Sequence, residues 1–253
     1  MSRGHRDFHT LAARLERSTP MVQTKSQIAL AAVEYPCSDG IPMAETERHA
    51  MVTMDARQAL GWHFRDRPDV YVGVDMLLYY VEGDPKRSVA PDVFVVMGAP
   101  KLPPRDNWLV WAEGGRAPDF VLEITSKATQ AVDEGRKRRL YRELAVSEYW
   151  QYDPTGDYLD PSLKGSRLVD GRYRPIKAVT ELDGSLRFRS DLGLELRLER
   201  DELRCFDVAK RRYLPTCEEA FERAAQVEKA RAALDESKRE IVALKAELAA
   251  SQR

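Results

Sequence analysis

The sequence predicts an α/β protein with a mixed α/β core, antiparallel hairpin additions and a charged C-terminal helix. The first observation is a fully apolar segment at residues 93–97, which directly follows a Pro-Asp pair. The second is a strand pattern at 117–126, followed by a helical pattern at about 133–145 and another strand at 148–152. Strands that are interleaved with a helix in this way are typical of an α/β core.

The segment before this core divides at a turn cluster. Residues 1–35 form a mildly basic extension, and residues 36–42 are rich in turn-forming Pro, Ser, Asp and Gly. A helix is expected from about 44 to 66, and one or two strands within 70–81. The predicted buried stripe of that helix includes Met51, Met54, Ala59 and Leu60.

The pattern after the core indicates hairpins. From 153 to about 214, the turn dipeptides Asp170-Gly171 and Asp183-Gly184 separate alternating runs. Such dipeptides between alternating runs are typical of antiparallel hairpins. We therefore predict an antiparallel addition to the core, and a domain that covers residues 36–215.

The last segment, 216–253, has the pattern of a charged helix. An apolar residue recurs every seven positions, at Val227, Leu234, Ile241 and Leu248. The companion positions are weaker, with Ala230, Ser237 and Leu244. Two interpretations stay open: a short coiled coil that joins a homodimer, and a single solvated helix.

Composition limits the classes of function. Hydrophobic residues make up 43% and charged residues 32%, with a net charge near −1, so any nucleic-acid site must be a local basic patch. The three cysteines lack CxxC spacing, which indicates free thiols in a reducing compartment. No segment resembles a membrane span or a signal peptide, so we expect a cytoplasmic location and no membrane partner. Phosphate-loop, dinucleotide, zinc-protease and serine-hydrolase motifs are absent from the sequence, and no small-molecule cofactor is expected.

Glu123 is the residue that most needs an explanation. It lies among Val121, Leu122 and Ile124 in a segment with the pattern of a buried strand. A carboxylate in such a strand loses hydration, at a cost of several kcal/mol in order of magnitude, unless a cation or hydrogen-bond donors compensate. A metal ion is the explanation that we favour.

Two further acidic residues are candidates for the same site. Asp92 stands where the apolar strand begins, so it and Glu123 would make an oxygen-rich site on neighbouring strands, of the kind that Mg²⁺ prefers. Alternation also places Asp119 on the strand face of Glu123, nearer the start of the strand. Asp119 therefore has two open interpretations, as a ligand and as a turn or cap residue.

The helix that follows the Glu123 strand carries the candidate cations. Lys137 precedes Leu140 and Tyr141 by three and four residues, so it shares their buried face and can point toward the carboxylates or extend to solvent along the border. The arginines Arg138, Arg139 and Arg142 can contact phosphates or form an ordinary solvated face. Earlier in the chain, Glu45 lies near a helix start, where the helix dipole alone favours a carboxylate.

These segments together resemble a known family. In chain order they are PMAETERH (42–49), APDVFVV (90–96), APDFVLEITS (117–126), the spacing Asp133…Lys137…Tyr141, and EYWQYDP (148–154). The set is similar to the bacterial Uma-type family of restriction endonucleases, a branch of the PD-(D/E)xK nuclease superfamily. The resemblance covers roughly residues 36–215.

The resemblance implies a restriction-endonuclease-like fold, in which helices flank a mixed central sheet. It also implies that Asp92 and Glu123 bind the metal ion and that Glu45 completes the site. The usual lysine of the superfamily would stand two residues after Glu123, where this chain has Thr125. Lys137 then matches a lysine that has moved to the next helix.

The function expected from this pattern is a Mg²⁺-dependent endonuclease that hydrolyses phosphodiester bonds in DNA, with Mn²⁺ able to substitute. Asp92, Glu123, Lys137 and Glu45 are the predicted catalytic residues. The alternative is a catalytically inactive DNA-binding or protein-interaction module of the same fold, assembled through its C-terminal helix.

Overall fold

A computed structural model describes residues 33–38, 46–126 and 129–251. The helical elements are α1 (Glu47–His63), α2 (Gln130–Val132), a π-helical turn (Asp133–Lys137), α3 (Arg138–Glu143) and α4 (Cys217–Ser251). The strands are β1 (Val70–Val74), β2 (Leu78–Tyr79), β3 (Ser88–Val89), β4 (Val93–Met97), β5 (Trp108–Leu109), β6 (Phe120–Ile124), β7 (Glu148–Tyr152), β8 (Leu163–Val169), β9 (Arg172–Pro175), β10 (Val179–Thr180), β11 (Leu186–Arg189), β12 (Leu194–Glu199), β13 (Glu202–Asp207) and β14 (Arg212–Tyr213).

The centre is a six-stranded mixed sheet in the order β1-β4-β6-β7-β8-β9. Strands β6 and β7 are parallel, whereas the other neighbours in this sheet are antiparallel. All five residues of β6 and of β7 are buried, because α1 and residues of β11 and β12 cover one face of the sheet and α3 covers the other. The parallel β6–β7 pair requires a crossover, and the helical segment 130–143 supplies it.

Each face of the sheet has its own apolar cluster. Helix α1 contributes Ala56 and Leu60 to the first cluster, which also contains Val95 and Phe120. Tyr141 of α3 belongs to the second cluster, on the opposite face. The strand residues of that second cluster are Phe94, Val96, Val121 and Tyr149. The prediction of a mixed sheet flanked by helices is thereby confirmed.

The predicted buried stripe of α1 is wrong in part. Ala59 and Leu60 are buried, but Met51 is 56% exposed and Met54 is 59% exposed. The buried residues that the stripe left out are His49, Thr53 and Ala56. Positions 49, 53, 56 and 60 follow the helical repeat, so α1 buries one continuous face, which includes polar side chains instead of the two methionines.

The hairpin additions are present where the turn dipeptides predict them. Strands β8 and β9 join at Asp170-Gly171, where both residues have positive φ angles, as a type I′ hairpin turn requires. Strands β10 to β14 then form a separate five-stranded antiparallel sheet. The C-terminal helix is also present, as the single 35-residue helix α4. Its pairing in a coiled coil stays a prediction.

Candidate active site

The site begins where β4 and β6 run side by side in opposite directions. Val93 lies opposite Leu122, which brings the start of β4 beside the end of β6. Asp92, one residue before β4, accepts a 2.5 Å hydrogen bond at Oδ2 from the backbone N–H of Ile124. The same oxygen lies 3.4 Å from Nε2 of His49, near the start of α1. Backbone geometry therefore fixes the Asp92 carboxylate at the end of the Glu123 strand.

Glu123 is buried, with 1% of its surface exposed, and both of its carboxylate oxygens have a donor. Tyr141 donates from its hydroxyl to Oε1 at 2.5 Å, and Lys137 donates from Nζ to Oε2 at 2.8 Å. Burial raises the pKa of Glu123 to about 8, although the positive charge of Lys137 acts to lower that pKa. The charges of Asp92 and Asp133 raise that pKa further.

Lys137 reaches the carboxylates from the last residue of the π-helical turn. Besides Glu123, its Nζ lies 3.5 Å from Oδ1 of Asp133 and donates to the carbonyl of Ala90 at 3.3 Å. Burial alone would lower the pKa of Lys137, but the three acidic neighbours outweigh burial and raise it. Lys137 is therefore held as a cation among carboxylates. Turns of the π type often mark functional sites.

Asp133 is the acidic residue that the sequence patterns left without a role. It is buried at the first residue of the π-helical turn, and burial raises its pKa. Its Oδ2 lies 3.4 Å from the hydroxyl of Thr125, while its buried Oδ1 accepts no hydrogen bond and lies 3.5 Å from Nζ of Lys137. The signal available in the sequence was the four-residue spacing from Asp133 to Lys137, which places both on one helical face.

Thr125 occupies the position where the superfamily pattern has lysine. It is buried, and its backbone N–H donates to the carbonyl of Tyr152 at 2.7 Å. Its side chain is directed to Asp133, on the same helical turn that carries Lys137. The amino group beside Glu123 thus comes from the following helix, as the spacing of Lys137 allowed.

The remaining candidates lie in different surroundings. Asp119 accepts a 2.8 Å hydrogen bond from the backbone N–H of Met97, at the opposite end of β6 from the Ile124 contact, which fits the cap interpretation. Arg138 donates to the hydroxyl of Ser166 at 3.0 Å and lies 5.2 Å from the ring centre of Tyr173. The other two arginines, Arg139 and Arg142, are exposed. Glu45 lies outside the described residues.

The donor chemistry of the site suits a hard cation. Within 33–38, 46–126 and 129–251, no group of three or more His, Cys, Asp or Glu side chains is arranged to hold a metal ion. Lys137 and Tyr141 donate hydrogen bonds to the two carboxylate oxygens of Glu123. Yet Asp92, Glu123 and the unbonded Oδ1 of Asp133 offer the carboxylate oxygens that Mg²⁺ prefers. A cation would have to share or displace one contact of Glu123.

Carboxylates at the adjoining ends of two sheet strands, with a lysine beside them, are the arrangement that the resemblance of the sequence implies. The Uma2 family, described as putative restriction endonuclease, matches residues 29–199, which is more than half of the chain. The chain belongs to this family, and its mixed sheet with flanking helices is the fold that membership implies. Family membership places it among the nucleases.

Other comparisons add little to this assignment. A crystal structure of a putative nuclease belonging to DUF820 from Anabaena variabilis is similar at 14% identity, with a TM-score of 0.41. The similarity covers 56% of this chain and 75% of that one. No curated protein matches. In the part of the chain that the structure describes, no helix is long and apolar enough to cross a membrane.

Proposed function

We propose that this protein is a Mg²⁺-dependent endonuclease that hydrolyses phosphodiester bonds in DNA. The observation that carries the proposal is the contact of Lys137 with Glu123 at 2.8 Å, beside Asp92 at the end of the neighbouring strand. A cationic amine among buried carboxylates is costly to assemble, and such costs are characteristic of functional sites.

Asp92 and Glu123 would hold the metal ion, with Asp133 close by and Glu45 as a further acidic residue. When bound, Mg²⁺ supplies charge that polarises the phosphate and favours deprotonation of the attacking water. Lys137 would orient that water or stabilise the negative charge that develops on the phosphate. Tyr141 would fix the rotamer of Glu123 through its hydrogen bond to Oε1.

The proposal extends to the partners of the site. Arg139 and Arg142 are exposed and suited to contact the phosphate backbone, whereas Arg138 is already engaged by Ser166 and Tyr173 and would contribute less. We propose a cytoplasmic homodimer in which residues 36–215 form the nuclease domain, 1–35 an extension and 216–253 the dimerising helix. Mn²⁺ would replace Mg²⁺.

The test is a cleavage assay with linear, circular, single-stranded and branched DNA, with Mg²⁺ or Mn²⁺ and with EDTA. Asp92→Asn and Glu123→Gln keep the shape of each side chain and remove its charge. We expect metal-dependent cleavage by the wild type and loss of cleavage in both variants. Equal activity in the wild type and the variants would contradict the metal-nuclease proposal.

A second candidate is a non-cleaving DNA-binding or protein-interaction module. It is favoured by the occupied oxygens of Glu123 and by the raised pKa, about 8, which disfavours the charged form that a metal ion needs. Calorimetric titration with Mn²⁺ separates the two candidates. The nuclease binds Mn²⁺ in a manner that depends on Asp92 and Glu123, and the inactive module does not.

A further inference from the structure

Among the described residues, the hydrogen bonds that join the C-terminal helix to the body lie in the first turn of the helix. The backbone N–H of Cys217 donates to Asp55 of α1 at 2.7 Å, and Arg204 of β13 binds Glu219 at 2.9 Å. From Phe221 onward the large apolar side chains are between 48% and 78% exposed. About 30 residues of helix, about 45 Å long, therefore extend beyond the attachment.

An apolar stripe runs along this extension. Its residues, seven positions apart, are Val227, Leu234, Ile241 and Leu248, and all four are exposed. An isolated helix gains little stability in water without an apolar face to bury, and a seven-residue repeat is the pattern of helices that wrap around each other. A second copy of the same helix presents a stripe of equal length and period.

The charges beside the stripe distinguish the two possible orientations of such a pair. The positions four residues after each of the first three stripe residues are all basic: Arg231, Lys238 and Lys245. On the other side, Glu240 directly precedes Ile241. In a parallel pair these two sides face each other, whereas in an antiparallel pair each side faces its own copy.

We propose that α4 pairs with the same helix of a second copy in a parallel, in-register coiled coil. Glu240 of each subunit then lies beside the partner's Lys245, which gives two attractive contacts across the pair. An antiparallel pair would instead place the basic row against the basic row of the other copy. The proposal rests on the homodimer proposed above and does not require nuclease activity.

Parallel pairing has a consequence for the geometry of the assembly. Both helices begin at the body, at Cys217, so both bodies lie at the same end of the coiled coil. Two candidate active sites are then held within one assembly on the same side. Such an arrangement suits a substrate with two strands, each of which meets one site.

Charge exchange tests the orientation. Lys245→Glu places like charges beside each other in the parallel pair, and we expect the dimer to dissociate about tenfold more readily, as measured by analytical ultracentrifugation of the full chain. The double variant Glu240→Lys/Lys245→Glu restores the attraction and should restore the wild-type dimer. In an antiparallel pair, Lys245→Glu would relieve repulsion, so a tighter dimer would overturn the proposal.

Disulfide trapping gives a second measurement that does not depend on charge. In a Cys37→Ser/Cys217→Ser background, Ile241→Cys should form a covalent dimer on mild oxidation, because the two copies of this position meet in a parallel pair. Arg239→Cys, on the outer face of the helix, is the matched control and should not. A dimer that is not trapped at 241 overturns the parallel register, and a monomeric wild type overturns the homodimer as well.

Discussion

Nζ of Lys137 lies 2.8 Å from Oε2 of Glu123, although the two residues are fourteen positions apart in the chain. The strand β6 fixes one partner, and the helical segment that returns the chain to β7 fixes the other. The connection between two parallel strands is therefore also the element that completes the candidate site. In the superfamily pattern, a single strand would supply both groups.

The first prediction concerns Lys137. Lys137→Ala removes the only amine that contacts Glu123 in the described part of the chain, and we expect cleavage to fall by about 10²–10³-fold if the amine stabilises developing charge. Arg136→Ala removes an exposed cation from the preceding position and is the matched control. The measurement is the single-turnover cleavage rate, with circular dichroism to verify the fold. An unchanged rate for Lys137→Ala would remove Lys137 from the chemistry.

The second prediction concerns pH and stability. Because the pKa of Glu123 is raised to about 8 in the folded protein, the folded state holds a proton that the unfolded chain releases above about pH 4.5. The contribution of Glu123 to the free energy of unfolding is fully present below about pH 4.5, and it is lost as the pH rises through about 8. The loss is at most on the order of 1 kcal/mol per pH unit.

Glu123→Gln has no proton to release at this position. As the pH rises from 5 to 8, we therefore expect the free energy of unfolding of the variant to increase relative to that of the wild type. Urea unfolding across this range measures the difference, with the exposed Glu134→Gln as the control that should track the wild type. Saturating Mg²⁺ should reduce this pH-dependent difference in the free energy of unfolding, because a bound cation stabilises the charged carboxylate of the wild type. If the free energies of unfolding of the wild type and Glu123→Gln changed with pH in parallel, burial would not raise the pKa of Glu123.

Much of the sheet could be predicted from local patterns, because β4 and β6 are mostly apolar runs with clear boundaries and β7 is rich in aromatic residues. The face of α1 could not, since it depends on contacts with distant strands, among them β13, which put Thr53 inside and Met54 outside. At the site, helical spacing placed Lys137 on the buried face of its helix, but it left open whether the amine points to the carboxylates or to solvent. It did not identify Asp133 or Tyr141 as partners of Lys137 and Glu123, because their side-chain contacts depend on the π-helical turn and on packing across the sheet.

The third prediction concerns the packing of Gly165 in β8 against Trp150 in β7. A Cβ atom at Gly165 would lie 2.4 Å from Cζ3 of Trp150, a fully buried ring that packs against Phe188. Gly165→Ala should therefore displace the ring and lower the free energy of unfolding by about 1–3 kcal/mol. Gly135→Ala has open space around the new methyl group and should be neutral or slightly stabilising. Thermal unfolding of both variants measures the contrast, and equal effects would contradict the tight packing at Gly165.

The fourth prediction concerns a variant that carries the lysine at position 125, directly after β6, instead of at position 137. In Lys137→Ala/Thr125→Lys, the new side chain starts two residues after Glu123 and on the same face, where the superfamily pattern has its lysine. We expect the double variant to cleave faster than Lys137→Ala, although more slowly than the wild type, because Thr125 is buried and a longer side chain must displace its neighbours. Lys137→Ala/Ser126→Lys is the control, with the amine directed away from the face that Glu123 and Thr125 share. Recovery in both double variants would indicate a nonspecific effect of positive charge, and recovery in neither would indicate that the amine must approach from the helix.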